Sequence, residues 1–142
     1  AGLGCAQLIL SGDSARERWA ALDPVVWHGA TPMGAVATVA AYDAGADHLA
    51  EVVEYLRVGR DLLADGLADA LPTARLHDVQ GTYLCWLDLR DTGCDPADVA
   101  ARTFVRGVDG AFCGTPGFLR LNFALPHHLV AEMASRLAAC SR

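Results

Sequence analysis

The stretch from residue 117 to residue 126 reads Gly-Phe-Leu-Arg-Leu-Asn-Phe-Ala-Leu-Pro and carries a leucine or phenylalanine at every second position. This alternation predicts a strand with one face on a core, and the residues of that face are Leu119, Leu121, Phe123 and Leu125. Arg120 and Asn122 fall on the opposite face. Any fold of this chain must therefore accommodate an arginine in the middle of an otherwise apolar strand.

An arginine at such a position is costly unless an anion meets its guanidinium. The planar fork of Arg120 suits a carboxylate that accepts two parallel hydrogen bonds. On the residues alone, the more frequent arrangement is a structural ion pair with an internal aspartate or glutamate. The alternative is a bound carboxylate ligand, for which Arg120 is the candidate binding residue and Asn122, on the same face, a further site-lining residue.

Composition excludes several functions. The chain has 142 residues, of which 53% are hydrophobic and 20% charged, and this is typical of one globular domain. Its net charge of −6 argues against nucleic acid and against an anionic membrane surface. No apolar run has the length of a membrane span.

The basic residues and the cysteines also limit the chemistry. All eleven basic residues are arginine, so the chain cannot form a lysine Schiff base. The five cysteines are widely spaced and include no Cys-x-x-Cys pair, which favours reduced thiols in a cytoplasmic protein over disulfides or a zinc site.

The first 46 residues predict one orphan strand and two helices. The apolar run at residues 8–10 is typical of a strand buried on both faces, and the absence of an obvious neighbour suggests that residues before Ala1 are missing. Ser14 and Glu17 have the spacing of a capping box that opens a helix ending at Asp23-Pro24. Thr31-Pro32 predicts the start of a second, alanine-rich helix that ends near Gly45.

A longer helix is predicted from Asp47, as its cap, to Leu71, where Pro72 ends it. Its apolar stripe consists of Leu49, Val52, Val53, Leu56, Leu63, Leu67 and Leu71. At 1.5 Å per residue this helix is about 37 Å long, which suits a helix that bridges two domains.

After Pro72 the apolar period changes from helical to strand-like. Strands are predicted at residues 74–79, 82–90 and 104–108, with a short helix over residues 95–103 between the last two. Together with the strand that contains Arg120 they predict a small sheet of three or four strands. Pro126 opens a final helix with Leu129, Met133 and Leu137 turned inward. The sequence therefore predicts an α/β fold.

Familiar catalytic motifs are missing from the sequence, including Gly-x-Ser-x-Gly, a phosphate loop and His-Glu-x-x-His. The adjacent His127 and His128 would point about 100° apart on a helix, so they make a poor metal pair and no metal site is predicted. His28 lies in a predicted loop before a helix and is a candidate to line a site, although a solvent-exposed or capping histidine is the commoner outcome.

Five blocks in order carry a resemblance to a known family. They are Ala-Gly-Leu-Gly-Cys-Ala-Gln at residues 1–7, Ala-Ala-Tyr at 40–42, Gly-Thr-Tyr-Leu-Cys-Trp-Leu-Asp at 81–88, Asp-Gly-Ala-Phe at 109–112 and Phe-Leu-Arg-Leu-Asn-Phe-Ala at 118–124. Together they resemble the C-terminal part of the pyridoxal-phosphate-dependent carbon–sulfur lyases of fold type I, the cystathionine beta-lyase branch of the class I/II aminotransferase-like enzymes. The resemblance covers essentially the whole chain.

This resemblance implies a domain division and a site. Residues 1–46 would close the large cofactor domain, residues 47–71 would form the bridging helix, and residues 72–142 would form the small domain. Arg120 matches the family arginine that binds the substrate's α-carboxylate, and the Schiff-base lysine is expected upstream of Ala1, so no catalytic residue is expected on this chain. Gly4 departs from the family, which has lysine or arginine there for the cofactor phosphate.

For the complete protein the resemblance implies pyridoxal 5'-phosphate and β-elimination from L-cysteine conjugates or cystathionine, giving a thiol, pyruvate and ammonia. It also implies a homodimer or association with the missing N-terminal part. Three alternatives remain open: an aminotransferase, a lyase domain of a larger biosynthetic polypeptide, and a noncatalytic remnant or scaffold domain.

Overall fold

The computed structural model describes residues 2–26 and 29–141, and of Ser141 only the backbone. The chain divides into two compact units, Ala1–Ala50 and Glu51–Arg142. The first unit contains helix α1 at Asp13–Ala20, a 3-10 turn at Pro24–Val26 and helix α2 at Pro32–Ala44. Helix α3, Ala46–Ala70, begins in the first unit and continues into the second. None of the helices described is long and apolar enough to cross a membrane.

The N-cap of helix α1 lies two residues earlier than the sequence predicts. Gly12 occupies the N-cap position, and no side chain caps the helix. The predicted capping box of Ser14 and Glu17 is therefore wrong, because Ser14 lies inside the first turn. The helix also ends at Ala20, before Asp23, whose carboxylate instead accepts a hydrogen bond from the Val25 N–H at 2.9 Å.

Helix α2 begins and ends as predicted. The Thr31 hydroxyl accepts a hydrogen bond from the Gly34 N–H at 3.0 Å, and Pro32 occupies the first turn, where it has no backbone N–H to leave unpaired. Gly45 follows the last helical residue. Threonine as a cap and proline after it thus determine where this helix starts.

The buried strand predicted at residues 8–10 is wrong for this chain. The segment has no regular secondary structure, and Leu8 and Ile9 are 57% and 87% exposed. A strand needs a hydrogen-bonded neighbour, and the described part of the first unit contains no strand to pair with. Among residues 2–26 and 29–50 only Gly34 is buried, so this unit has almost no core of its own.

Helix α3 is close to its predicted length, but only part of its predicted stripe is buried. Asp47 lies within the first turn and is not the cap. Leu63 and Leu67 are fully buried, whereas Leu49 and Val53 are 61% and 57% exposed. The stripe was predicted from periodicity, and periodicity does not tell which turns of a long helix have a neighbour to pack against.

The second unit contains a four-stranded antiparallel sheet in the order β1-β2-β4-β3. The strands are β1 at Arg75–Leu76, β2 at Leu84–Asp88, β3 at Val108–Asp109 and β4 at Phe118–Asn122. The α/β prediction is confirmed, with four strands. The two edge strands are much shorter than predicted, at two residues each.

The predicted strand over residues 104–108 is shortened for a local reason. Helix α4 occupies Val99–Thr103, shorter than predicted, and Phe104 ends it with a φ of 58°, in the left-handed region. A residue in that conformation cannot continue a strand. Pairing with β4 therefore begins only at Val108, which lies opposite Arg120.

Helix α5, His127–Leu137, and a final 3-10 turn, Ala138–Ser141, complete the second unit. Met133 and Leu137 are buried as predicted, but Leu129 is 39% exposed, so its inward placement is wrong. One sheet face packs with α3, α4 and α5 in a single core, to which the sheet contributes Cys85, Leu87, Leu119 and Leu121. Burial raises the pKa of the Cys85 thiol to about 11, so this cysteine behaves as a core residue.

The two glycines of α3 that face α5 and its lead-in give a matched test of this packing. In Gly59→Ala the new Cβ would lie 3.5 Å from the Phe123 carbonyl oxygen, an ordinary contact. We expect unfolding free energy to rise by about 0.5–1 kcal/mol, because alanine favours helix over glycine. In Gly66→Ala the Cβ would lie 2.7 Å from the Ala134 Cβ, and overpacking is expected to cost about 1–3 kcal/mol.

Urea denaturation of both glycine variants and the parent measures these changes. Adding Ala134→Gly to Gly66→Ala should remove the clash and recover part of the loss. The packing described for α3 would be contradicted if Gly59→Ala and Gly66→Ala stabilised the protein equally.

Candidate functional site

Arg120 lies at the centre of the sheet, on the face opposite the core. Along β4 the buried residues are Leu119 and Leu121, and Arg120 between them is half-buried on the other side. Its neighbours across the sheet are Trp86 on β2 and Val108 on β3. The alternation predicted from the sequence is thus confirmed, and we call this surface the outer face.

Trp86 is the closer of these two neighbours. The Phe123 N–H donates to the Tyr83 carbonyl at 3.1 Å, and the Leu89 N–H donates to the Gly117 carbonyl at 3.0 Å. Hydrogen-bonded and non-hydrogen-bonded pairs alternate in an antiparallel ladder. Counting from these two bonds, Trp86 and Arg120 form a non-hydrogen-bonded pair, in which facing side chains are closest.

The guanidinium of Arg120 has no protein partner in the described part of the chain. None of the ion pairs or side-chain hydrogen bonds there involves it. Asp88 also has its side chain on the outer face, but its carboxylate accepts from Arg90 at 2.7 and 2.9 Å. The structural ion pair that would ordinarily explain a buried arginine is therefore not seen for Arg120.

A row of stacked side chains crosses the outer face beside Arg120. The rings of Trp86 and Phe118 are 5.9 Å apart and inclined by 23°. The guanidinium of Arg90 lies 4.8 Å from the centre of the Phe118 ring, within the range of a cation–π contact. Asp88 fixes Arg90 there, so each member of the row limits the movement of the next.

Asp88 is an acidic residue of this face whose pKa is strongly shifted. Hydrogen bonds from Arg90 are the largest cause, and they lower the pKa of Asp88 to about 2 although partial burial acts in the opposite direction. Asp88 is therefore ionised at neutral pH. It anchors Arg90 and is not an acid–base group for a reaction near pH 7.

Of the other predicted site residues, Asn122 is on the outer face and His28 is outside the described residues. Asn122 follows Arg120 by two positions, is exposed, and accepts a hydrogen bond from the Ala124 N–H at 2.8 Å. The structure therefore brings Arg120 and Asn122 to one surface. It adds Trp86, for which the sequence predicts only a place in a strand.

Gly4 belongs to the first unit, whereas the outer face belongs to the second. Gly4 has a φ of 62°, and an added Cβ would come 3.1 Å from the Thr31 Cγ2. A cavity of about 490 Å³ is lined here by Gly4, Cys5, Ala6, Gly29, Ala30 and Thr31. It contains no cationic side chain. No group of three metal-ligating residues occurs in the described part of the chain.

Comparisons with known proteins agree with this architecture. No family model matches the chain. The cystathionine beta-lyase of Corynebacterium glutamicum is 30% identical over 143 residues, which cover 98% of this chain and 38% of that protein. A Corynebacterium diphtheriae protein assigned as a PLP-dependent beta-cystathionase is 37% identical, with a TM-score of 0.84 over 99% of this chain and 38% of that one. The PLP-bound C-S lyase from Staphylococcus hominis is 26% identical, with a TM-score of 0.73 over 92% and 36% of the two chains.

The fold is that of the C-terminal portion of pyridoxal-phosphate-dependent enzymes of fold type I. Within that class, the chain is related in sequence and structure to the C-terminal part of proteins named cystathionine beta-lyase, beta-cystathionase and C-S lyase. It spans 38% of the length of the curated relative from Corynebacterium glutamicum.

The low pKa of Asp88 gives a pH prediction. Because the folded-state pKa of about 2 is below the ordinary value of 3.8, pairing with Arg90 stabilises the fold fully above about pH 4. That contribution is lost as the pH falls from about 4 towards 2. We expect the ¹³C carboxyl shift of Asp88 to titrate with its midpoint near pH 2, the lower end of this range, while circular dichroism reports a folded protein. In Arg90→Met the pKa should return towards 3.8; an unchanged Asp88 titration would show that Arg90 is not its cause.

Proposed function

We propose that this chain is the substrate-binding C-terminal part of a pyridoxal-phosphate-dependent carbon–sulfur β-lyase. Its substrates would be L-cysteine conjugates or cystathionine. With water, the complete enzyme would convert the substrate to a thiol, pyruvate and ammonium. The observation that carries the proposal is the guanidinium of Arg120, which is half-buried on the outer face without a carboxylate partner in the described residues.

The role of Arg120 follows from its position. Its backbone is paired with neighbouring strands on both sides, so the Cα from which the side chain extends has a fixed position. A carboxylate bound by both arms of the fork gains charge-assisted hydrogen bonds and a defined orientation. An α-amino acid held by its carboxylate presents its Cα in one place, which is the positioning that a β-elimination requires. Asn122, two residues along the same face, would line the same site.

The cofactor of the complete protein would be pyridoxal 5'-phosphate, but the residues that the structure describes offer neither a lysine nor, beside Gly4, a phosphate-binding cation. The chain has no lysine, and the cavity beside Gly4 has no cationic side chain to meet a phosphate. We therefore assign the Schiff-base lysine and the main phosphate contacts to residues outside this sequence. The contribution of this chain is to bind and orient the substrate.

The domain organisation and location of the protein can be proposed as well. We assign residues 1–46 to the edge of the large domain, 47–71 to the bridging helix and 72–142 to the small domain. The exposed apolar side chains of α2, Met33, Val36, Val39 and Tyr42, would be covered by the rest of the protein or by a second copy in a homodimer. The five free cysteines favour a cytoplasmic location.

Substitution of Arg120 tests the proposal. In the complete enzyme we expect Arg120→Ala to lower kcat/KM for S-methyl-L-cysteine by about a hundredfold, because each charge-assisted hydrogen bond contributes about 1.5–3 kcal/mol. Arg120→Lys should recover only part of the loss, since an ammonium lacks the planar fork. Cofactor content, read from the visible absorbance, should remain nearly unchanged.

Two controls separate carboxylate binding from a structural role. Arg75 also has its side chain on the outer face but pairs with Asp91 at 3.3 Å, so Arg75→Ala should leave kcat/KM nearly unchanged. In Arg120→Ala, kcat/KM for the carboxamide of S-methyl-L-cysteine should fall far less than kcat/KM for the acid. Equal losses for the acid and the amide would make Arg120 a structural residue and refute its proposed role.

The reaction class has its own test, because an aminotransferase is the main alternative. A β-lyase releases thiol and pyruvate from S-methyl-L-cysteine without a keto acid, in equal amounts. An aminotransferase requires a keto-acid acceptor and converts that acceptor to an amino acid. Formation of 3-(methylthio)pyruvate without thiol, dependent on an added keto acid, would favour the aminotransferase. Failure of the complete protein to turn over amino acids at all would favour a noncatalytic scaffold.

A further inference from the structure

The indole N–H of Trp86 is the feature of this residue that packing in the sheet does not explain. Trp86 is half-buried on the outer face, and in the described part of the chain its indole N–H has no hydrogen-bond acceptor. No buried side-chain nitrogen or oxygen there lacks a partner, so this N–H is accessible to solvent. The outer face therefore presents two accessible and unpaired donors side by side, the guanidinium of Arg120 and the indole of Trp86.

The backbone positions of the two residues are close and fixed by the strand pairing. Trp86 and Arg120 face each other as a non-hydrogen-bonded pair, for which the Cβ atoms lie about 4.5–5.5 Å apart. The indole ring is stacked on Phe118, which is itself covered by Arg90. An indole fixed in this way loses little conformational entropy when it donates to a ligand.

We propose that Trp86 is a further substrate-binding residue whose indole N–H donates to the carboxylate that Arg120 binds. This inference rests on the proposed function of Arg120 and extends it to a second donor. The guanidinium fork supplies charge and two parallel N–H groups, and a carboxylate still has lone pairs to accept a third donor. Val108, on the other side of Arg120, has no donor, so the carboxylate would lie towards Trp86.

The test is the substitution Trp86→Phe in the complete enzyme. Phenylalanine keeps an aromatic ring on Phe118 and removes the N–H. We expect KM for S-methyl-L-cysteine to rise about tenfold with kcat nearly unchanged, as for the loss of one hydrogen bond to a charged group. KM for the carboxamide should change less than twofold. Val108→Ala is the matched control, since it alters the packing beside Arg120 without removing a donor, and it should affect acid and amide alike.

A double-mutant cycle makes the outcome specific. If both donors bind one carboxylate, Trp86→Phe should cost much less in an Arg120→Ala background than in the parent. Equal KM increases for acid and amide, or full additivity of the two substitutions, would overturn the role of Trp86. If Arg120→Ala itself does not discriminate acid from amide, the proposed function fails. If Arg120→Ala discriminates acid from amide but Trp86→Phe does not, only the inference about Trp86 fails.

Tryptophan fluorescence gives a measure of binding that does not depend on product formation. In a variant of the complete enzyme in which Trp19, Trp27 and any tryptophan outside this sequence are replaced by phenylalanine, the fluorescence of Trp86 reports on the outer face. Titration with S-methyl-L-cysteine should change the emission with a dissociation constant that Arg120→Ala weakens, and the carboxamide should have little effect. An emission that responds to neither compound in a variant that still turns over the acid would contradict contact between Trp86 and the substrate.

Discussion

The burial of one face of the sheet determines the strand register of the second unit and the position of Arg120. Leu119 and Leu121 are almost completely buried against the helices, and fully burying such side chains contributes about 1.5–3 kcal/mol each. Side chains alternate along a strand, so this burial forces Arg120 to the other face. A one-residue slip of β4 would bury the guanidinium and expose both leucines, and this strongly disfavours any other register. The core thus fixes the position of the site as well as the stability of the unit.

The parts of the fold that the sequence predicts are those set by local chemistry. Thr31 and Pro32 locate the start of α2, and the alternation around Arg120 locates β4 and its two faces. The errors occur where the structure depends on a neighbour. Residues 8–10 have the composition of a buried strand but no strand in the described part of the first unit to pair with, and the edge strands are shorter than their composition suggests. Periodicity also does not indicate which turns of α3 are covered.

The candidate site is predictable to a similar extent. Arg120 and Asn122 share a face because their positions differ by two, which the sequence alone determines. Trp86 could not be placed beside Arg120 without the register between β2 and β4, which depends on pairing across 34 residues of chain. Among the described residues, the absence of a carboxylate partner for Arg120 also could not be predicted. Asp88 is on the same face, and only the structure shows that its carboxylate is bound by Arg90. In the first unit, the cavity beside Gly4 has no cationic side chain in its lining.

The central claim is that Arg120 keeps its guanidinium free for an external carboxylate. The most direct measurement is the ¹H–¹⁵N spectrum of the arginine side chains in the complete protein, with Arg120 assigned through Arg120→Lys. On addition of S-methyl-L-cysteine, the Arg120 Nε–H signal should shift and its exchange with water should slow, whereas the signal of Arg90, already bound to Asp88, should change little. An Arg120 signal that is protected before any ligand is added, and unchanged afterwards, would contradict the account.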